Sequence, residues 1–315
     1  MRIVFLGTPD FAVLPLKAVS NIQGVEIVGV VCNKDKPVGR KQVLTAPPVK
    51  IAAQELGLPV FQYNKIKEEG VNDLKKLAPD LMITCAFGQI LSQEILDVPK
   101  CGVINIHASL LPKYRGAAPI QWCIINGEKV TGVTIMKTEI GVDTGDMIMQ
   151  RQLAIGENET AGELFERLSA LGADMINDAL DSIEDGSAVY TPQDHSAATR
   201  VKMLKKQDGA IVWSKSAKEV FNLVRGMNPW PCAYTYFCGK IIKIWAVEIC
   251  HNVRSNGLPG EVLICDAKNG IIVACGEGAV KISELQLEGA KRMSAKDFLL
   301  GRSFAVGERF TGETE

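Results

Sequence analysis

The sequence lacks several features that would assign it to common protein classes. No segment approaches the about 18–20 uninterrupted apolar residues that a membrane-spanning helix needs, so we expect no membrane span. There is also no excess charge of one sign, because the net charge is -1 over 315 residues. A chain with so little net charge has no overall field that attracts nucleic acid or anionic lipid. Binding of a polyanion would therefore depend on a local cluster of basic residues.

Patterns typical of metal, disulfide and dinucleotide sites are missing as well. The nine cysteines include no C-x-x-C pair, and most lie in or beside apolar runs, as Cys85 does in LMITCAFG. This pattern favours buried free thiols in a reducing compartment over a disulfide framework or a zinc site. The turn Gly7-Thr8-Pro9 lacks the G-x-G-x-x-G fingerprint of dinucleotide-binding folds.

The N-terminal segment MRIVFLGTPDF is too short in its apolar part to be a secretory signal. Its apolar run covers residues 3–6 and is then broken by Gly7, Pro9 and Asp10. We therefore interpret the segment as a strand and a turn, and we expect the protein to be cytoplasmic.

The first half of the chain alternates between strand and helix patterns. Strands are predicted at residues 2–7, 25–33, 58–63, 80–88 and 102–109, and helices at 49–57, 69–78 and 90–99. Such alternation is typical of an α/β fold with a doubly wound, mostly parallel sheet. Ligands bind at the carboxyl ends of the strands in these sheets, so the loops after Gly7, Asn33, Phe87 and His107 should line one face.

The second half changes character after a long amphipathic helix. That helix is predicted at residues 160–186, with a break at the Leu171-Gly172 step. The polar segment 34–48 and the aperiodic stretch that follows the helix are predicted to be a loop and a linker. Short β-rich runs separated by Gly, Asn-Gly and Pro-Gly then predict an all-β domain. We expect a catalytic domain at 1–189, a linker at 190–207 and a C-terminal domain at 208–315.

Asn105 and His107 are the strongest candidates for chemistry. Residues two apart in a strand face the same way, so both side chains should point to one face near the strand's carboxyl end. An amide can hold a developing oxyanion, while an imidazole can donate to the same oxygen or move a proton. A single buried histidine is more often a core residue, but a buried amide beside it is costly unless its bonds are made.

Asp143 is a weaker candidate when it is judged from the residues alone. It lies between Gly141 and Gly145 in TEIGVDTGDM, and aspartate in such a turn usually serves the turn itself. A carboxylate there could instead orient His107 or favour its protonated form.

The run N-x-H-x-S-L-L-P-x-Y-R-G-A-A-P at 105–119, followed by D-T-G-D, resembles the formyltransferase family that uses 10-formyltetrahydrofolate. The opening MRIVFLGTPDFAV, the segment DKPVGRKQVLTAPPVK and the later NPWPCAYTYFCGKIIKIW are similar to the branch that acts on methionyl-tRNA. The resemblance covers roughly residues 1–310. It implies a Rossmann-like first domain and a C-terminal barrel of the OB type that binds tRNA.

The resemblance also implies roles for individual residues. Asn105, His107 and Asp143 would be catalytic, with 10-formyltetrahydrofolate as formyl donor and no metal. The folate would be bound, largely through backbone groups, by Phe87, Gly88, Gln89, Ile90, Ser109, Leu110, Leu111 and Pro112. The acceptor would be initiator Met-tRNA, bound by Arg40 and Lys41 in the basic segment and by Arg200, Lys202, Lys205 and Lys206 in the linker. The family suggests a monomer.

Three alternatives stay open at this point. A formyltransferase acting on an amino sugar nucleotide has the same Asn, His and Asp and can carry a similar second domain, although the basic segment at 34–50 favours tRNA. A glycinamide ribonucleotide formyltransferase normally ends near the close of the first domain. A folate or RNA binder without activity would not need all three catalytic residues. Without the resemblance, the basic clusters would be interpreted as solvated faces.

Overall fold

The computed structural model describes residues 1–39, 41–250 and 257–312. The chain divides into two compact units. The first unit consists of Met1–Pro119, Val130–Ala154 and Phe165–Val201, and the second of Ile120–Lys129, Ile155–Leu164 and Lys202–Glu315. Among the described residues, no helix is both long and apolar enough to cross a membrane.

Eleven strands and seven α-helices occur in the described residues up to position 201. The strands are β1 (Arg2–Gly7), β2 (Glu26–Asn33), β3 (Lys36–Val38), β4 (Val43–Thr45), β5 (Val60–Tyr63), β6 (Leu81–Cys85), β7 (Val103–His107), β8 (Arg115–Gly116), β9 (Val130–Lys137), β10 (Met147–Ala154) and β11 (Arg200–Val201). The helices are α1 (Val13–Ser20), α2 (Pro48–Glu55), α3 (Ile66–Glu69), α4 (Val71–Leu77), α5 (Gln93–Leu96), α6 (Pro119–Ile125) and α7 (Ala161–Glu184).

A seven-stranded sheet forms the centre of the first unit, in the order β10-β9-β7-β6-β1-β2-β5. Its pairs β1/β2, β1/β6, β2/β5 and β6/β7 are parallel, whereas β9 and β10 add an antiparallel edge. Every residue of β6 is buried, as expected of a strand covered on both faces. The α/β fold with a mostly parallel sheet is therefore confirmed.

The sheet register brings the predicted loops to one edge. Gly7 at the end of β1 pairs with Cys85 at the end of β6, and Thr84 pairs with Asn105 on β7. Because these three strands are parallel and in register, the segments that follow them leave the sheet side by side.

The sequence predicts a loop at residues 34–48, but the structure shows a hairpin within this segment. Residues 36–38 pair with 43–45 in an antiparallel hairpin, with Val38 opposite Val43. Gly39 at φ 72° and Gln42 at φ 50° supply the left-handed backbone of its turn. The strands were missed because each has three residues and all six are exposed, so neither carries an alternating apolar pattern.

The predicted break in the long helix is also wrong, since α7 runs without interruption from Ala161 to Glu184. Gly172 serves packing instead. A Cβ at this position would come within 2.9 Å of the Ile106 Cγ2 atom on β7, so glycine allows the helix to lie close to the sheet. Nearer the N-terminus of α7, the Phe165 ring packs edge to face against the Phe11 ring, with the ring centroids 5.3 Å apart.

The second unit is built on an antiparallel sheet, as predicted. Its elements beyond residue 201 are β12 (Ala233–Phe237), β13 (Lys240–Cys250), β14 (Val262–Asp266), β15 (Gly270–Ala274), β16 (Ala279–Leu287), β17 (Met293–Ser294), α8 (Ala217–Gly226) and α9 (Ala295–Leu299). The strand order is β12-β13-β16-β15-β14, with β17 on β16. The rings of Phe237, Phe298, Phe304 and Phe310 pack together in its core. The domain boundaries at 189 and 207 stay predictions.

Candidate active site

Strand β7 carries two of the three predicted catalytic residues on one face. Asn105 and His107 are separated by Ile106, which is buried and faces the opposite side. His107 is the last residue of the strand and is only 6 % exposed. The alternation of the strand therefore places both polar side chains together at its carboxyl end.

The hydrogen bond of His107 determines which ring nitrogen is available for proton transfer. Its Nε2 atom lies 3.0 Å from the backbone carbonyl oxygen of Tyr114. Because a carbonyl only accepts hydrogen bonds, Nε2 must carry a hydrogen and donate it. The other nitrogen, Nδ1, is then the atom that gains or loses a proton.

Asp143 lies beside that nitrogen, as the resemblance implied. Its Oδ2 atom is 3.7 Å from Nδ1 of His107 and accepts a hydrogen bond of 2.7 Å from the backbone N–H of Gly116. The Asp143 backbone has φ 51°, in the left-handed region that non-glycine residues rarely occupy. The loop therefore adopts an unfavourable conformation that places this carboxylate at the ring.

Asn105 has its carbonyl oxygen occupied within the protein. Thr84 Oγ1 on the neighbouring strand β6 donates to Asn105 Oδ1 at 2.9 Å. In this orientation the Asn105 amide N–H groups form no hydrogen bond with the described residues, so they can donate to a ligand oxygen. Thr84 was not identified from the sequence, where it is one polar residue within the apolar run LMITC.

The loop after β6 contains the first group of predicted folate residues. Phe87 is buried, and its carbonyl oxygen accepts from Thr8 Oγ1 at 3.1 Å and from Asn33 Nδ2 at 3.3 Å. The Gln89 amide donates to Asn33 Oδ1 at 2.7 Å and accepts from the N–H of Ile66 at 2.8 Å. The side chain of Gln89 therefore fixes the loop, while Ile90, at 76 % exposed, faces solvent.

The second group of predicted folate residues, Ser109 to Pro112, is largely bonded within the protein. Ser109 is fully buried, and its hydroxyl donates to the Lys113 carbonyl at 2.7 Å. The N–H of Leu111 donates to Thr134 Oγ1 at 3.2 Å, and its carbonyl accepts from Gln150 Nε2 at 2.7 Å. Direct folate contacts by this segment stay a prediction.

A cavity of about 380 Å³ lies between α5 with its following residues and segment 137–141, which leads into the Asp143 loop. Asp97 and Glu139 line it, together with the backbone of Gly102 and Gly141. The hydroxyl of Thr138 in this lining is buried and has no hydrogen-bond partner among the described residues. None of these residues was singled out from the sequence as a folate contact.

The structure describes five of the six residues that the sequence predicts to bind tRNA. Arg40 lies outside the described residues, whereas Lys41 is exposed next to the hairpin turn. Lys205 and Lys206 are exposed, and so is Arg200. Lys202 is paired with Asp208 at 2.6 Å, and this hydrogen bond is the main reason that the pKa of Asp208 lies below its usual value.

Two family models match the chain. A model described as formyl transferase matches residues 1–180, and one described as formyl transferase, C-terminal domain, matches residues 203–303. The chain belongs to the formyl transferase family.

Full-length relatives agree with this assignment. The chain is 46 % identical over 309 residues to the methionyl-tRNA formyltransferase of Acetivibrio thermocellus, covering 98 % of this chain and 99 % of the relative. It is 47 % identical over 310 residues to the methionyl-tRNA formyltransferase of Geobacter metallireducens, covering 98 % of each. A solved structure of WlaRD, a sugar 3N-formyl transferase in the presence of dTDP and 5-N-formyl-THF, is similar in fold. Its TM-score is 0.66 at 20 % identity, over 93 % of this chain and 98 % of that one.

Proposed function

We propose that the chain transfers the formyl group of 10-formyltetrahydrofolate to the α-amino group of methionine on initiator Met-tRNA. The observation that carries the chemistry is the arrangement at the end of β7. His107 presents Nδ1 to Asp143, while Asn105 on the same strand face has amide hydrogens free for a ligand oxygen.

The reaction forms one bond and breaks another. The α-amino nitrogen bonds to the formyl carbon, and the bond between that carbon and N10 of the folate breaks. Asn105 donates to the formyl oxygen as negative charge develops there. The proton lost by the amine passes to N10 through the pair formed by His107 Nδ1 and Asp143, because these are the adjacent groups that can hold it.

The formyl donor can be accommodated beside the residues that precede the Asp143 loop. The cavity of about 380 Å³ is bordered by residues 137–141, immediately before Asp143. A flat heterocycle with N–H donors can bond to the Glu139 and Asp97 carboxylates or to backbone carbonyls there. We therefore place the pterin ring in this cavity, and folate contacts by the loop at 86–91 stay a prediction.

Two observations support initiator Met-tRNA as the acceptor: the basic hairpin, which consists of β3, β4 and their turn, and the similarity to methionyl-tRNA formyltransferases. Lys36 and Lys41 are exposed and have no carboxylate within 4 Å in the described ranges. The hairpin also exposes Val43 and Leu44, at 59 % and 67 %. Cations beside exposed apolar side chains suit an RNA end, with phosphates for the cations and unstacked bases for the apolar surface. The near-complete match to methionyl-tRNA formyltransferases supports the same acceptor.

A comparison of acceptors tests this proposal. The rate of tetrahydrofolate release is measured with Met-charged initiator tRNA and, separately, with a dTDP-linked amino sugar, at equal donor concentration. We expect kcat/KM for the tRNA to exceed that for the amino sugar by at least about three orders of magnitude, because a sugar nucleotide has only two phosphates and can contact far less of the basic hairpin than an RNA can. Faster transfer to the amino sugar would replace this function with the alternative one. Uncharged initiator tRNA serves as the control that the methionyl amine is required.

A further inference from the structure

Arg115 is a buried cation with an unusual set of partners. It is 3 % exposed, and no carboxylate lies within 4 Å of it in the described parts of the chain. Its Nε and Nη2 atoms donate to Gln193 Oε1 at 3.1 and 2.7 Å, and Nη2 also lies 3.1 Å from His195 Nδ1. Burying a guanidinium costs free energy unless its N–H groups form hydrogen bonds. In most proteins a carboxylate accepts these bonds, whereas here the acceptor is the neutral amide of Gln193.

The guanidinium fixes the orientation of the Gln193 amide. Only the amide oxygen can accept from Arg115, so the amide nitrogen must point the other way. That nitrogen donates to the carbonyl of Asp143 at 3.0 Å and to the carbonyl of Gly145 at 2.7 Å. Gln193 is 5 % exposed, and both polar ends of its side chain are bonded within the protein.

These two carbonyls belong to the strained loop that presents Asp143. The Asp143 backbone has φ 51°, and a side chain at Gly145 would collide with the carbonyl of Lys137. A loop in this conformation keeps it only when surrounding bonds hold it there. Gln193 supplies two such bonds from one buried side chain.

The segment that carries Gln193 is attached to the opposite side of the site as well. The N–H of Tyr114 donates to Thr199 Oγ1 at 2.8 Å, and the N–H of Arg115 donates to the Thr199 carbonyl at 2.9 Å. Tyr114 is the residue whose carbonyl accepts from His107 Nε2. One segment therefore holds both the partner of the histidine ring and the loop of the aspartate.

We propose that Gln193 is a positioning residue for formyl transfer. It uses Arg115 to orient its amide and holds the Asp143 loop so that the carboxylate stays beside His107 Nδ1. This inference rests on the proposed function, and it assigns a role to a residue of the segment that the sequence predicts to be a linker.

Two substitutions separate positioning from mere neutralisation of the buried charge. Gln193→Ala removes both the acceptor for Arg115 and the two donors to the loop. Gln193→Glu restores an acceptor for Arg115 as an ion pair but has no N–H for the carbonyls of Asp143 and Gly145. We expect kcat to fall about 100-fold in both variants, as for a displacement on the order of 1 Å at a reacting group. KM for donor and acceptor should stay within about threefold of wild type, because the binding groups are unchanged.

The pH profile of kcat supplies a readout that a purely structural role would not move. The proposed proton transfer passes through His107 and Asp143, so displacing the carboxylate should shift the midpoint of the profile in both variants. Ser169→Ala is the matched control. It removes another buried hydrogen bond to a backbone carbonyl, that of Phe11 at 2.8 Å, in the same unit but on α7. This control should lower the unfolding midpoint and leave kcat and its pH profile unchanged.

Full activity of Gln193→Glu would overturn the proposal, because it would show that Gln193 only neutralises Arg115. A fall in kcat with an unmoved pH profile, or a rise in KM alone, would overturn it too. If Gln193→Ala does not fold, Gln193→Glu decides the matter by itself. Failure of the proposed function would instead appear as absence of formyl transfer by the wild-type protein.

Discussion

The Nδ1 atom of His107 lies 3.7 Å from the Oδ2 atom of Asp143. This distance is too long for a hydrogen bond, although the two atoms face each other. The same Oδ2 atom is bonded instead to the N–H of Gly116. The carboxylate is therefore held near the ring without being bonded to it, which is compatible with the proton transfer that we propose.

His107→Ala should lower kcat by about 10³-fold, within the range for loss of a positioned acid or base. KM for Met-tRNA should change little, because the ring is buried and contacts the Tyr114 carbonyl. The substitution also leaves a void, so initial rates must be measured well below the unfolding midpoint of the variant, recorded by circular dichroism. Turnover within tenfold of wild type would remove His107 from the mechanism.

Arg40→Ala should weaken the use of charged tRNA far more than the use of the folate, since its predicted partner is a phosphate. Loss of one such contact lowers the slope of log affinity against log salt by about one. Arg151→Ala is a suitable control, because Arg151 is also a surface arginine, on β10, and pairs with Asp178 on α7. Equal effects of Arg40→Ala on both substrates would contradict a role in tRNA binding.

Asp35, at the base of the hairpin, gives a pH-dependent prediction. A hydrogen bond from Gln62, followed by one from Lys50, lowers the pKa of this carboxyl. Its contribution to stability is therefore present above the ordinary aspartate pKa of about 3.9 and is lost as the pH falls through the lowered value. The melting temperature of Asp35→Asn should lie below that of wild type at pH 7, and the gap should narrow as the pH falls below about 3.9. A gap that stays constant over this range would contradict the linkage.

Thiol labelling tests the predicted buried, reduced cysteines. Burial raises the pKa of the Cys32 and Cys232 thiols to about 11, so little thiolate is present at pH 8. Cys101 and Cys238 are exposed. With a disulfide reagent at pH 8, the two exposed cysteines should react first in the native protein, as located by peptide mass mapping. Labelling of Cys32 as fast as Cys101 would show that the core opens readily.

Much of the site was predictable because its main features are local. The strand pattern of residues 102–109 placed Asn105 and His107 on one face, and the alternation that predicts this is visible in the sequence alone. Asp143 was not a convincing candidate by itself, because its proposed role depends on a left-handed backbone and on its proximity to His107, 36 positions away. Only the resemblance to the family identified it.

The remainder depends on tertiary contacts that no local pattern encodes. Gln193 lies in a stretch without periodicity, and its partners are 50 and 78 residues away along the chain. Gly172 suggested a break in the helix, but its role is set by Ile106 across the sheet interface. The hairpin at 36–45 has strands too short and too exposed to show a pattern.

The most direct test of the central claim is the transfer of labelled formyl from 10-formyltetrahydrofolate to Met-charged initiator tRNA by the wild-type protein and by Asn105→Ala. We expect formyl-Met-tRNA to accumulate in step with tetrahydrofolate release for wild type. Loss of the oxyanion donor in the variant should slow transfer by about 100- to 1,000-fold. No formyl-Met-tRNA from a folded wild-type protein that still binds the tRNA, or an undiminished rate in Asn105→Ala, would contradict the account.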